Sequence, residues 1–233
     1  MNTDVSFHPS PDLLSGFADG TLPAGKCVAI SAHVELCDSC RVQITELEAA
    51  AAASWAQEAE PSADSAMLDF SEQIAAITKQ PQQQSVTPTA AAVGEFHMLD
   101  HSVRLPRVLA KAAASGLVWK KLAGGINQAA VTLDDETQCE FIYMKPGSQV
   151  PVHRHMGSEL TLVLDGSFSD ELGHYGASDF VMRSSEHTHR PSSDEGCLCF
   201  TVLDSPLTFT SGLDRLLNPI LRYRFNRAIS QRA

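Results

Sequence analysis

Two groups of residues in this chain have the types and spacing to hold metal ions. The first lies in the run from Gly147 to Glu159, which sets His153 and His155 at alternate positions and Glu159 four residues further on. Alternate side chains of a strand share a face, so the two imidazoles aim side by side into one cavity, and Glu159 joins them from beyond a short bend at Gly157. Two imidazoles and a carboxylate suit zinc, iron, manganese or nickel, so the spacing names a site before it names a metal. The second group is His33-x3-Cys37-x2-Cys40. On a helix His33 and Cys37 are four apart and share a face, and Cys40 follows through a tight turn into the next helix. Thiolates with imidazole are the ligands of structural zinc. A thiol pair in a chain without a secretion signal more often binds metal than forms a disulfide. A fourth ligand is needed, and His8 and Cys27 are the candidates.

The run Gly147-x5-His153-x-His155-x3-Glu159-x6-Gly166 matches the first motif of the cupin family at every spacing. The resemblance implies a small antiparallel β-barrel with a metal in its mouth. It also implies a fourth ligand, a histidine from a second motif one or two strands later. Here Gly176 to Val181 leads into Glu186-His187-Thr188-His189-Arg190-Pro191. His189, just before Arg190-Pro191, fits that position best, and His187 is the alternative. The implied ion is zinc or another divalent transition metal.

The first half of the chain resembles the zinc-binding anti-sigma family, specifically the ChrR-type anti-sigma factors, which join such a domain to a C-terminal cupin. The residues that carry the resemblance are His8 with Asp12-Leu13-Leu14, the Gly20-Thr21-Leu22-Pro23 turn, and His33, Cys37 and Cys40. It spans nearly the whole chain, including Leu207 to Arg222 after the cupin. It implies that His8 is the fourth zinc ligand. It further implies that the partner is a group IV (ECF) sigma factor, released under oxidative stress of the singlet-oxygen type, with the cupin as sensor. Imidazole and thiolate are the electron-rich groups such oxidants attack.

Charge agrees with a protein partner. The 233 residues carry a formal net charge of −11, and residues 1–80 hold 12 acidic against 3 basic side chains (Lys26, Arg41, Lys79). Phosphate contacts call for a basic patch, so direct nucleic-acid binding is disfavoured. An acidic helical module suits a basic protein face, because opposite fields speed encounter and suppress wrong partners. No apolar run approaches the roughly 20 residues of a membrane span, and no basic start precedes an apolar stretch as in a signal peptide. The expected location is the cytoplasm, with no membrane partner.

The elements that must position these groups follow from punctuation and periodicity. Ser10-Pro11 caps a first helix running through Leu13, Leu14 and Phe17 to near Gly20. A second starts near Ala24 and carries His33 at its end. A third runs from about Asp38 to Trp55, and Pro61-Ser62 ends the pattern. Met67, Phe70, Ile74 and Ile77 recur at helical spacing and form the stripe of a fourth helix, either core or a sigma-facing surface. Residues 79–89 are polar and proline-bearing, as a linker is. A short helix over Leu105 to Ala114 precedes alternating segments separated by glycines, prolines and acidic turns, as an all-β barrel requires. The expected fold class is multidomain α plus β: a zinc-binding helical domain over residues 1–80, a linker over 81–95, a cupin (jelly-roll) barrel over 96–210, and a solvated tail over 211–233.

Other chemistry is thin. There is no nucleophile elbow, no phosphate-cradling glycine loop and no basic aromatic surface. Cys197 and Cys199 alternate on a strand, where i and i+2 join poorly into a disulfide, so packing is the expected role and a redox pair the alternative. No catalytic residue is assigned. An open coordination position on the barrel metal would make a dioxygenase or isomerase the rival, with the N-terminal domain as its regulator.

Overall fold

A computed structural model describes residues 5–58, 70–80, 95–98, 101–114, 116–210 and 212–230. Met67 and residues 81–94 of the expected linker lie outside these residues, while its last residue, Glu95, opens a strand, Glu95–Met98. Six α-helices occur among them: α1 Pro11–Ala18, α2 Ala24–Leu36, α3 Asp38–Glu58, α4 Ser71–Thr78, α5 Arg107–Ala113 and α6 Asn218–Ser230. The Ser10 Oγ accepts from the Leu13 N–H at 3.3 Å and Pro11 opens α1, which is the cap the sequence prescribes.

The β portion is built around one six-stranded antiparallel sheet. Its spatial order is Phe180–Arg183, Glu159–Gly166, Cys197–Leu203, Gln138–Met144, Ile126–Val131 and Lys120–Lys121. A four-stranded sheet (Gly173–Tyr175, Phe168–Asp170, Ser192–Ser193, Ser148–Gln149) and a three-stranded one (Thr188–His189, His153–His155, Leu207–Phe209) form the opposite wall. The ladders do not close into one ring, so the barrel is two facing walls, as in a jelly roll.

Both faces of the large sheet are covered. Phe141, Leu160, Leu162, Phe180, Leu198, Phe200 and Val202 join Leu14, Ala29, Ile30, Ala32 and Leu109 of the helices in one core. Their alternate neighbours Met144, Val163, Val181, Cys197 and Cys199 form a second core inside the barrel. All seven residues of Cys197–Leu203 are buried, which explains a run that is apolar at every position but Thr201, where a one-sided sheet would alternate with polar residues. Helix α2 lies so close to this sheet that a Cβ on Gly25 would stand 2.2 Å from Thr137 Oγ1 and 2.5 Å from Cys139 Sγ. Only glycine fits there. The Lys26 ammonium adds an ion pair to Asp204 at 3.1 Å.

Two regions depart from expectation. The stretch over 211–233 is not a solvated tail: it carries a 3-10 turn, Leu213–Leu217, and then α6, whose Phe225 is buried. Asn218 anchors it, its Oδ1 accepting from the Phe209 N–H at 2.8 Å and its Nδ2 donating to the Phe209 carbonyl at 3.1 Å. Helix α4 buries none of its residues; Phe70, Ile74 and Ile77 are 52%, 58% and 66% exposed. Among the described residues, then, the stripe packs into no core.

Candidate metal centres and their coupling

The N-terminal group forms where α2 breaks into α3. Cys37 is the single extended residue between them (φ −121°, ψ 110°), its N–H donating to the His33 carbonyl at 2.8 Å. Cys37 is therefore at a helix break, not on the helical face expected of it. Cys40 stands on the first turn of α3. The His8 Nδ1 lies 3.5 Å from Cys37 Sγ and 3.4 Å from Cys40 Sγ, and the ligand atoms of His8, His33, Cys37 and Cys40 all fall within 4.8 Å of one another. Cys27 is elsewhere, its thiol donating to the Leu22 carbonyl.

The barrel pins two of these four residues. The His33 Nδ1–H donates to the Ser178 carbonyl at 3.0 Å, leaving a buried Nε2 with no hydrogen-bond partner. Ser178 holds the left-handed conformation (φ 76°), uncommon for a residue with a Cβ, and so turns its carbonyl to the histidine. The N–H groups of Ser6 and Phe7 donate to Asp179 Oδ1 at 2.8 and 3.0 Å, and the Phe180 N–H donates to the Phe7 carbonyl at 2.9 Å. That annealed segment delivers His8.

Protonation suits a metal. Burial pulls His33 down to about 4, so its orphan Nε2 is a bare lone pair at neutral pH. Burial pushes Cys40 up to about 12, with the Cys37 charge adding to it. Cys37 feels the same burial, but hydrogen bonds from Ser39 and Cys40 outweigh it and set the thiol below its ordinary range. Cys37 thus ionises first, and a cation is what would ionise Cys40 as well. A buried imidazole lone pair facing two thiols is a donor set made for zinc.

In the barrel, strand register brings the second group together. His189 pairs directly with His153 across the three-stranded sheet. The His155 Nε2 is 3.2 Å from the His189 Nε2 and 3.0 Å from Glu159 Oε2, and the last two are 3.8 Å apart. Ligands on a tetrahedral zinc at about 2.1 Å stand roughly 3.4 Å from each other, so the spacing fits. The ligand atoms of His153, His155 and His189 also lie within 4.8 Å of one another. His187 turns instead to the Ser184 hydroxyl.

Nδ1–H bonds orient two of the three imidazoles, to the Pro151 carbonyl from His153 (2.9 Å) and to Asp170 from His189 (3.1 Å), leaving their Nε2 atoms free to ligate. Burial, with His189 adding to it, lowers His153 to about 4; burial also lowers His189. Burial alone would raise Glu159, but His155 foremost, with His153 and His189, holds it at about 2. Cys197 Sγ and Cys199 Sγ lie 3.3 Å apart, and the hydrogen bond from Cys197 together with burial keeps the Cys199 thiol well above its ordinary range, hence protonated.

Asp170 and Asp179 had no local signal in the sequence. The Asp170 side chain is fully buried, orients His189, and pairs with Arg183 at 2.7 Å. Arg183 in turn stacks on Tyr175, whose ring meets Phe7 edge-on at 4.8 Å. Contacts thus run unbroken from His189 to the residue before His8.

Fold and site together define a two-layer protein: a zinc-finger-like helical layer on the outer face of a cupin. Family models agree, residues 12–41 matching a zinc-finger family and residues 110–205 the ChrR cupin-like domain. The chain is 32% identical over 223 residues to the anti-sigma-E factor ChrR of Cereibacter sphaeroides, covering 94% of this chain and 99% of that protein. It also matches a chain in the crystal structure of Rhodobacter sphaeroides SigE in complex with the anti-sigma ChrR. There the TM-score is 0.66 and the identity 26%, over 86% of this chain and 99% of the solved one. This chain belongs to the ChrR family of anti-sigma factors.

Proposed function

We propose that this protein sequesters a group IV (ECF) sigma factor in the cytoplasm and releases it under oxidative stress of the singlet-oxygen type. His8, His33, Cys37 and Cys40 hold a zinc ion that fixes α1, α2 and α3. His153, His155, Glu159 and His189 hold a second ion, zinc or another divalent transition metal, and the barrel is the sensor. The observation that carries this is the match along nearly the full length to a chain solved with SigE. The bare apolar stripe of α4 supports it, since an exposed apolar face marks a partner's seat. So does the acidic first third of the chain, which suits the basic surfaces a sigma factor turns to DNA and polymerase.

The test is co-purification of the full chain with group IV sigma factors from the same cell, with zinc assayed. A one-to-one complex that a chelator dissociates is expected. A folded, zinc-loaded chain that captures none of them refutes the proposal. The second reading, a cupin metalloenzyme with a regulatory zinc layer, is favoured by the cavity at the barrel histidines. His153→Ala separates the two: as a sensor residue it spares sigma binding and blunts release, whereas in an enzyme it abolishes turnover.

A further inference from the structure

The barrel holds far more space than a metal ion needs. Its cavity measures about 340 Å³, at the lower end of the range for small-molecule pockets. At about 30 Å³ for each group the size of a water molecule, it admits roughly ten heavy atoms. His153, Glu159 and His189 line one part of it. Much of the remaining wall is apolar: Ile142, Met144 and Phe168 from the strands, Phe209 from the strand that Asn218 clamps, and Leu221 and Phe225 from α6. Leu217 and Ile220 also line the cavity while being 46% and 54% exposed. The mouth therefore opens along α6, and what passes it slides over apolar side chains.

Charge narrows the occupant further. Three neutral imidazoles and one carboxylate around a divalent ion leave a net charge of +1. Two further charged side chains on the wall have partners of their own: Arg183 is paired with Asp170, and the buried Glu140 carboxylate accepts from the Gln138 Nε2. The positive charge open to a ligand is then the ion itself, and an anionic oxygen is the group it takes.

We infer that the cavity binds a medium-chain monocarboxylate, a molecule of the fatty-acid type with roughly ten heavy atoms. Its carboxylate sits on the barrel ion and its chain lies along Ile142, Phe209, Leu221 and Phe225 under α6. This rests on the assignment of His153, His155, Glu159 and His189 as a metal site. Occupancy by such a molecule fills the space beneath α6, so the lid and the ion respond to one ligand.

The test uses the full chain loaded with cobalt(II) in place of zinc, metal content measured, and calorimetric titration with acetate, hexanoate, octanoate, decanoate and decanol. Expected are affinity rising about fourfold per methylene up to the length that fills the cavity, a change in the cobalt d–d spectrum with each bound carboxylate, and much weaker binding of decanol. Ile142→Phe, which narrows the cavity, is expected to lower decanoate affinity at least tenfold with metal content unchanged. Should that variant misfold, the chain-length series on the native protein decides alone. Equal affinity from acetate to decanoate, or none, with the ion retained, overturns the inference and leaves the metal site standing. Decanol binding as tightly as decanoate overturns the placement of the carboxylate on the ion. A barrel that retains no cobalt defeats both.

Discussion

The two metal groups flank the same six-stranded sheet, yet they are assembled in opposite ways. The barrel group is set by strand pairing: His153 and His189 face each other in a ladder, and Val163 and Val181 belong to an apolar core of the barrel's own. The N-terminal group is set by a helix break and by contacts borrowed from the barrel, with short helices that bury few large side chains of their own. Similar ligand chemistry therefore does different work on each side. Behind the helices an ion would supply folding free energy; inside the barrel it would enter a cavity whose walls are paired strands.

Cys37→Ser with Cys40→Ser tests that contrast most severely. Structural zinc is worth on the order of 10 kcal/mol in small domains, so zinc content should halve, the helical signal from α1 to α3 should collapse, and the barrel should keep its ion. Barrel unfolding along with the helices would break the contrast. Acid tests the barrel side alone. In chelator-stripped protein, the barrel's His153 is held at about 4 against an ordinary 6.5, so the unfolded chain takes up protons first. Barrel stability should be flat above about pH 6.5, fall by about 3 kcal/mol through this histidine between 6.5 and 4, and level off for this group below that. Thermal melts at stepped pH would show it, and metal loading should move the loss to lower pH.

Smaller changes sharpen the comparison. Asp170→Asn leaves the buried Arg183 with a weakened partner and His189 less firmly oriented. A 10- to 100-fold loss of barrel metal affinity is expected from such an outer contact, with the N-terminal zinc retained. Asp179→Ala acts on the other side, stranding the N–H groups of Ser6, Phe7 and Gly176. It should cost about 2 kcal/mol and weaken zinc binding through His8 while sparing the barrel ion. Lys26→Ala removes a partly exposed ion pair and should change the melting free energy by no more than about 1 kcal/mol. A large effect there would mean that the two layers hold together through charge instead of the shared core.

What was legible in the sequence follows the same division. The helix starts and the His153-x-His155 spacing are short-range patterns, and each appears where its periodicity places it, whereas Cys37 falls at the break between two helices and not on a helical face. The choice between His187 and His189 was open because both precede Arg190-Pro191 at strand spacing; cross-strand register puts His189 opposite His153. Contacts across great sequence distance were invisible. The Ser178 carbonyl lies 145 residues from the His33 ring it orients, and Asp179 lies 172 residues from Phe7. Helix α6 was misjudged because Phe225 and Leu221, which line the cavity, are too few to set a clear period.

The sheet between the two layers is a party wall. Phe141, Leu160, Leu162, Phe200 and Val202 face the helices, and a barrel parted from those helices would turn that face to water as a sticky, aggregation-prone surface. Gly25 sharpens the point, since any larger residue there would wedge the layers apart. Two modules that share a wall in this way can be shuffled by recombination only as one piece, and a sigma factor coming or going must be accommodated by bending within the pair, not by its divorce.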